Sequence, residues 1–196
     1  MTLYVLAGGN DRRYEEFGNK LSQLVGLYKD DPKILDVYFA RDRSVYETTF
    51  HSWDEWYQKF FGSKIERQFA VEEEFLSQVK WADVVYLHGG DTPLMVKALK
   101  PFSDQGAMFE GKIIIGSSAG AICLSRHYYS PLRDSIMEGR GLINIATVPH
   151  FGALDDGEAP LDKKAWMNAV DKTRAVVEEN EQIVLLPEGT FIAIER

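Results

Sequence analysis

Cysteine is nearly absent from this chain of 196 residues, because Cys123 is the only one. A single cysteine excludes an intramolecular disulfide and a metal site built from several cysteines, and it favours a reducing compartment. Cys123 is also a poor candidate nucleophile, since it falls inside a predicted helix. No apolar run is long enough to cross a membrane. A strand-like segment begins at Leu3, so we expect no signal peptide, a cytoplasmic location and no membrane partner.

Clusters of lysine and arginine are missing as well. The 30 acidic residues outnumber the 22 basic ones, which gives a formal net charge of −8. This balance argues against a nucleic-acid partner, because such proteins usually carry a broad basic surface. The apolar content of 45% is that of an ordinary globular protein. We therefore expect a single domain over residues 1–196, as a monomer or a homodimer.

Short apolar runs alternate with amphipathic stretches along the chain. The predicted strands cover residues 3–6, 34–39, 84–87, 113–115 and 143–148, and the predicted helices cover 12–28, 52–61, 72–80, 93–99 and 165–179. This alternation predicts an α/β three-layer sandwich with a mostly parallel central sheet. Two further strands, 183–186 and 191–194, flank a Pro-Glu-Gly-Thr turn and predict a C-terminal β-hairpin. The aromatic residues of 52–61 are interpreted as core.

The strongest chemical signal is the segment Gly116-Ser117-Ser118-Ala119-Gly120, which directly follows the apolar run Ile113-Ile114-Ile115. A strand, a tight turn with a central serine and a helix are the context of a G-x-S-x-G nucleophile elbow. Ser118 would then lie at a helix N-terminus, where free N–H groups favour developing negative charge. The alternative interpretation is that Ser118 is only a turn residue or a helix cap.

A serine nucleophile needs a general base, and the chain has four histidines. We predict His150 as the base, because it follows the end of a predicted strand. His88 also follows a strand end and is the second choice. His127 is expected on the helix that carries the serine, and His51 lies in the aromatic segment, so neither is favoured.

The base in turn needs an acceptor that fixes its tautomer and its orientation. Asp134 lies in the segment between the predicted nucleophile and the predicted base, and we predict it as this acceptor. Glu138, Asp155 and Glu188 remain alternatives, because spacing along the chain does not show where a carboxylate points.

A second glycine-rich turn, His88-Gly89-Gly90-Asp91-Thr92-Pro93, follows the strand predicted at 84–87. We predict that Gly89 or Gly90, together with Ala119, donates backbone N–H groups to an oxyanion. Asp91 or Thr92 is expected to cap the next helix. A phosphate cradle is the alternative, but neither G-K-[ST] nor a complete G-x-G-x-x-G is present.

Taken together, these motifs resemble the peptidase E family, the cytosolic aspartyl dipeptidases, and their relatives the cyanophycinases. The elements that carry the resemblance are Gly116 to Ala121, the Gly-Gly-x-Thr turn from Gly89 to Thr92, Val148-Pro149-His150-Phe151 and Leu186-Pro187-Glu188-Gly189. The resemblance implies a class I glutamine amidotransferase-like (flavodoxin-like) fold and a serine peptidase with Ser118 as nucleophile and His150 as general base. It also implies an acid after the nucleophile helix, which Asp134 matches approximately.

The chain departs from this family in its glycine-rich turn, in the stretch past the histidine, and in the loop between Ser118 and His150, which is shorter than expected. Its glycine-rich turn has His88 and Asp91 where the family usually has a third glycine and an asparagine. The family's arginine for an acidic substrate side chain lies past the histidine, but residues 155–164 contain no arginine. Lys163 and Lys164 are the candidate substitutes, although a lysine is a point charge and cannot form the two parallel hydrogen bonds that an arginine makes to a carboxylate. Asp91 and Thr92 are the other predicted substrate-binding residues.

We therefore expect a serine peptidase that hydrolyses a small, dipeptide-type substrate without a metal or an organic cofactor. Two alternatives remain open at this point. One is a catalytically inactive small-molecule-binding protein on the same fold. The other is an α/β-hydrolase-type esterase, which shares the G-x-S-x-G pattern and has its triad in the chain order Ser, Asp, His.

Overall fold

The computed structural model describes residues 1–102, 105–130, 133–152 and 163–196. Its strands are β1 (Leu3–Ala7), β2 (Lys33–Val37), β3 (Glu66–Phe69), β4 (Val84–Leu87), β5 (Ile113–Ser117), β6 (Ser125–Ser130), β7 (Ser135–Glu138), β8 (Ile143–Pro149), β9 (Gln182–Leu186) and β10 (Phe191–Glu195). Its α-helices are α1 (Glu15–Gly26), α2 (Tyr46–His51), α3 (Asp54–Phe61), α4 (Phe75–Trp81), α5 (Thr92–Leu99), α6 (Gln105–Met108), α7 (Ala119–Leu124) and α8 (Lys163–Arg174). Short 3-10 helices cover Asp11–Arg13, Arg43–Val45 and Glu72–Glu74.

Six strands form a sheet in the order β10-β1-β5-β4-β2-β3. Every neighbouring pair in it is parallel except β1 with β10, which is antiparallel. Strands β1, β4 and β5 are buried along their whole length, which is typical of a parallel sheet covered on both faces. The α/β class and the mostly parallel pairing predicted from the sequence are confirmed.

The other four strands form a second sheet in the order β7-β6-β8-β9, in which only β7 is antiparallel to its neighbour. The prediction of one central sheet is therefore incomplete, since β6 and β7 were not predicted. The reason lies in β6, whose side chains do not alternate between buried and exposed and so give no period of two. His127 accordingly lies on β6, and not on the helix after Ser118, which ends at Leu124.

The predicted C-terminal hairpin is wrong. Strand β9 pairs with β8 in the second sheet, whereas β10 pairs with β1 in the first. The turn at 187–190 therefore carries the chain from one sheet to the other. Two apolar strands around a Pro/Gly turn have the same pattern whether they pair with each other or with separate neighbours. This crossing places Glu188 between the two sheets.

The two sheets meet where their parallel strands end. The carbonyl of Gly8, just after β1, accepts a hydrogen bond from the backbone N–H of His150 at 3.3 Å. The carbonyl of Gly9 accepts one from the N–H of Gly189 at 3.1 Å. We call these four residues the seam. It joins the first sheet to the loops that follow β8 and β9.

Glycine is required at both seam positions of the first sheet. A Cβ on Gly8 would overlap the carbonyl oxygen of Pro187. Gly9 has a φ of +110°, and a Cβ on it would lie 2.5 Å from Cε1 of His150. The close approach of the two sheets therefore depends on the absence of side chains here.

Several helices begin or end a few residues from their predicted limits. The helix predicted over 12–28 is α1, and a separate 3-10 turn at Asp11–Arg13 precedes it. In the aromatic segment Trp53, Trp56 and Tyr57 are buried, which confirms the interpretation of these side chains as core. Within the described ranges, no helix is long and apolar enough to cross a membrane.

Gly120 allows α7 to lie directly on the end of β4, because a Cβ on this residue would overlap the carbonyl oxygen of Leu87. We expect Gly120→Ala to lower the free energy of unfolding by about 1–3 kcal/mol, as overpacking does. Urea denaturation measures this change. Gly26→Ala is the control, since a Cβ at the end of α1 meets nothing within 4 Å. It should be neutral or stabilising by up to about 1 kcal/mol, and equal stability of the two variants would contradict the packing argument.

Candidate active site

Ser118 occupies the turn between β5 and α7 with φ 49° and ψ −109°. This is a sparsely populated conformation for a residue with a side chain, as expected at a nucleophile elbow. The turn is held by the N–H of Ser118, which donates to the carbonyl of Ala7 at 3.0 Å. The side chain makes no capping hydrogen bond to α7. The alternative that this serine is only a helix cap is therefore not what the structure shows.

The hydroxyl of Ser118 faces His150. The distance from Oγ to the ring nitrogen Nε2 is 2.7 Å. His150 lies directly after β8 with φ 52°, and its backbone N–H donates a hydrogen bond to the carbonyl of Gly8. The structure thus brings together the serine and the histidine that the sequence singled out.

The other ring nitrogen of His150 faces Glu188. Nδ1 lies 2.7 Å from Oε1 of Glu188, and the same oxygen accepts a hydrogen bond from the side-chain amide of Asn10 at 2.7 Å. The Glu188 side chain is only 8% exposed. A carboxylate accepts and does not donate, so Nδ1 carries the hydrogen and Nε2 is left free to accept a proton.

Asp134 does not lie beside His150, so the prediction that it orients this base is corrected. Its carboxylate accepts a hydrogen bond from Tyr129 at 2.8 Å and pairs with Lys172 at 2.6 Å. The hydrogen bonds from Lys172 and Tyr129 lower the pKa of Asp134. These partners lie on β6 and α8, in the second sheet and the helix that covers it.

Of the three alternatives to Asp134, Glu188 is the one that lies within hydrogen-bond distance of His150. Glu138 is the exposed last residue of β7, and Asp155 lies outside the described residues. A signal for Glu188 was present in the sequence, because it follows a strand end, as His150 does. It was outweighed by the expected chain order, in which the acid precedes the histidine.

Two backbone segments adjoin Ser118, namely the start of α7 and the loop after β4. Ala119 is the first residue of α7, so its N–H has no acceptor within the helix. Gly89 packs on the serine, since a Cβ built on it would lie 3.3 Å from Cβ of Ser118 and 3.8 Å from Oγ. Gly90, with φ +149°, packs on the carbonyl of Ala40 instead. Gly89 and Ala119 are thus the better placed pair for an oxyanion, and Gly90 supports their loop.

A cleft of about 370 Å³ opens beside Ser118 and His150. Three arginines line it, namely Arg12, Arg13 and Arg41. None of the three was predicted as a site residue, although each follows the end of a parallel strand. The aromatic ring of Trp53 also lines the cleft, so this core residue has one edge at the site.

Three of the four predicted substrate-binding residues do not line this cleft. Asp91 caps α5, because its Oδ1 accepts a hydrogen bond from the N–H of Leu94 at 3.0 Å, and Thr92 is the first residue of that helix. Neither lines the cleft beside Ser118. Lys164 is exposed on α8 and does not line it either, and the side chain of Lys163 lies outside the described part of the chain.

His88, the second choice as base, lies beneath the cleft and not on the serine. Its Nε2 is 2.7 Å from Oδ1 of Asp36, and this buried carboxylate also accepts a hydrogen bond from Tyr57 at 2.6 Å. Arg67 pairs with the second oxygen of Asp36 at 2.9 Å. A buried carboxylate with these three partners is well satisfied, so the structure assigns His88 to a supporting network.

Asp11 completes the polar floor of the cleft. Its carboxylate accepts a hydrogen bond from the hydroxyl of Tyr86, whose ring stacks on His88 at a centroid distance of 4.1 Å. Burial raises the pKa of Asp11, because desolvation disfavours its charged form. The floor is thus continuous from Asp11 through two stacked rings to the buried ion pair below.

The sequence matches the profile of peptidase family S51 over residues 3–196. Among solved structures, the chain is similar to a crystal structure from Listeria monocytogenes EGD-e that is described as a candidate peptidase E protein. The two chains share 17% sequence identity and a TM-score of 0.62, and the match covers 100% of this chain and 99% of the other. This similarity shows a shared fold. A search of curated proteins found no match.

Burial lowers the pKa of His88, so the folded protein keeps this imidazole neutral where the unfolded chain begins to bind a proton. His88 therefore makes the fold less stable as the pH falls below about 6.5. Urea unfolding between about pH 7.5 and about pH 5.5 should show a larger loss for the wild type than for His88→Gln. Equal pH dependence of wild type and His88→Gln would contradict this assignment.

Proposed function

The chain belongs to peptidase family S51, and we propose that it cleaves a small peptide substrate with Ser118 as nucleophile, His150 as general base and Glu188 as the acid that orients the base. As a member of this family it is a serine-type peptidase. The observation that carries the proposed roles is one continuous path of contacts. It runs from Oγ of Ser118 to Nε2 of His150, and from Nδ1 of His150 to Glu188, with both distances at 2.7 Å.

In the first half of the reaction, Oγ of Ser118 attacks the scissile carbonyl carbon while Nε2 of His150 takes the hydroxyl proton. Glu188 stabilises the imidazolium through the hydrogen bond from Nδ1. The negative charge on the substrate oxygen is held by the N–H groups of Ala119 and Gly89. His150 then gives its proton to the leaving amine, the carbon–nitrogen bond breaks, and an ester with Ser118 remains.

In the second half, water attacks this ester while Nε2 of His150 takes one of its protons. The tetrahedral intermediate collapses, the proton returns to Oγ of Ser118, and the carboxylic acid product leaves. Glu188 keeps the same hydrogen bond in both halves, because its role is to orient the ring. The cycle needs no group beyond these side chains, two backbone amides and water.

The size of the cleft supports a small substrate. At about 370 Å³ it falls near the lower end of the range of roughly 300–1,000 Å³ that is usual for small-molecule sites. A dipeptide fits this volume better than a long peptide does. We therefore propose a dipeptide-type substrate.

The two alternative functions have less support. A decayed binding protein would not need to retain both 2.7 Å contacts of the histidine. An α/β-hydrolase esterase would have its acid before the histidine in the chain. Here the residue on His150 is Glu188, which gives the order Ser, His, Glu.

Hydrolysis of a panel of dipeptides tests the nucleophile. We expect Ser118→Ala to lower kcat by roughly 10³-fold or more on any peptide that the wild type cleaves, because no other group replaces the attacking oxygen. The exposed Ser22, whose hydroxyl donates to the carbonyl of Asn19 in its own helix, offers the matched control Ser22→Ala. Full activity of a folded Ser118→Ala protein would refute the proposal.

A second prediction separates the two candidate acids. Glu188→Gln should lower kcat by about 10²–10⁴-fold, since an amide cannot enforce the tautomer with the hydrogen on Nδ1. Asp134→Asn should leave kcat near that of the wild type, because the partners of this carboxylate among the described residues are Tyr129 and Lys172, and neither of them contacts His150. Steady-state kinetics on one cleaved dipeptide is the measurement. Loss of activity in Asp134→Asn with retention in Glu188→Gln would restore the acid predicted from the sequence.

A further inference from the structure

The cleft beside Ser118 is basic, although the chain as a whole is acidic. Three arginines and one carboxylate, Asp11, line it, in a protein with a formal net charge of −8. The carboxylate is buried and is occupied by a hydrogen bond from Tyr86, whereas Arg41 extends from the exposed rim. The lining therefore favours an anionic group on the molecule that enters.

Of these arginines, Arg41 is the one whose charge is available, because Arg13 already has an interaction within the fold. Arg12 is engaged by the fold, because it donates to the carbonyl of Ser52 at 2.8 Å and lies over the ring of Trp53 at 4.8 Å. The Arg41 side chain is exposed, and across the described ranges it makes no hydrogen bond and no ion pair. A planar guanidinium in this state has all five donors free for a ligand.

The backbone holds Arg41 next to the proposed oxyanion loop. The carbonyl of the preceding residue, Ala40, accepts a hydrogen bond from the N–H of Asp91 at 2.8 Å and packs against Gly90. The N–H of Arg41 itself donates to the carbonyl of Tyr38 at 2.8 Å. The position of this arginine is thus tied to the loop that carries Gly89.

Arg41 also lies at the boundary between the cleft and a second cavity. It lines both the cleft beside Ser118 and a neighbouring groove of about 590 Å³ between α5 and the segment after β2. The nearby Arg43 lines only the groove, and both of its terminal nitrogens bind the carboxylate of Glu73, at 2.6 and 2.9 Å. One arginine at this boundary is thus neutralised by its partner, and the other is not.

We propose that Arg41 is a specificity-determining residue that binds a carboxylate of the peptide substrate. This inference rests on the proposed peptidase function. A guanidinium fork matches a carboxylate with two parallel hydrogen bonds, which gives orientation as well as affinity. A small peptide can offer this group in two places, at its C-terminus or on an acidic side chain, and the chemistry of binding is the same for both.

Kinetics on matched dipeptides tests the proposal and identifies the carboxylate. One pair differs only by a C-terminal carboxylate or carboxamide, and a second pair only by an aspartate or asparagine side chain. Arg41→Gln should lower kcat/KM by about tenfold or more on the peptide that keeps the recognised carboxylate, and should change little on its neutral partner. The pair that shows this difference identifies whether Arg41 binds the C-terminal carboxylate or the acidic side chain. Arg41→Lys, which keeps the charge and loses the fork, should fall between wild type and Arg41→Gln.

Arg43→Gln is the control, since it removes another exposed arginine two residues away, one that is paired with Glu73. Its kcat/KM should equal that of the wild type on all four peptides. The proposal is overturned if Arg41→Gln behaves like Arg43→Gln, or if Arg41→Gln loses the same factor on carboxylate and neutral peptides alike.

Binding separates a failure of this inference from a failure of the proposed function. Calorimetry of the same four peptides with Ser118→Ala, with and without Arg41→Gln, needs no turnover. If the wild type cleaves none of them but Arg41→Gln weakens binding of one carboxylate peptide only, the peptidase proposal fails and the role of Arg41 stands. If the wild type cleaves them and Arg41→Gln changes neither binding nor kcat/KM, only the role of Arg41 fails.

Discussion

The candidate site depends on the seam at which two separate sheets touch through glycine backbone. The serine belongs to the first sheet, since it follows β5, whereas the histidine follows β8 of the second. The glutamate lies on the turn that crosses between the sheets. Hydrogen bonds from His150 to Gly8 and from Gly189 to Gly9 fix the distances between these parts. A side chain on either glycine would separate the sheets and with them the three groups.

Beneath the seam, a buried polar network gives the cleft a rigid floor. Asp36 is fully enclosed, and its charge is compensated by Arg67 and by hydrogen bonds from Tyr57 and His88. Such a network is costly when one partner is missing and stiff when all are present. His88 is the residue before Gly89, so the loop of the proposed oxyanion amides starts from this fixed point. Stability and the geometry of the site therefore share the same buried contacts.

The sequence predicted the parts of the site that depend on local pattern. The apolar run before Ser118 and the strand before His150 both end at the same edge of an α/β fold, and the structure brings these two residues together. The acid was assigned to Asp134 because chain order favoured it. Chain order carries no information on which sheet β9 joins, and that pairing is what brings Glu188 to the histidine.

The basic lining of the cleft escaped prediction for a related reason. Arg12 and Arg41 follow different strands, and only the parallel order of β1 and β2 within one sheet brings both to the same edge. The lysines after the histidine were favoured because they occupy the stretch where the related family keeps its arginine. The charge of a cleft is thus set by topology, which composition and spacing along one segment do not reveal.

The contacts that the seam maintains support Ser118 as the nucleophile of a serine peptidase. Mass spectrometry of the protein after reaction with a fluorophosphonate probe tests this most directly, because the probe bonds covalently to an activated serine and a peptide map locates the adduct. We expect one adduct on the folded wild type, at Ser118. An adduct on a different residue, or a folded protein that takes up no probe, would contradict it.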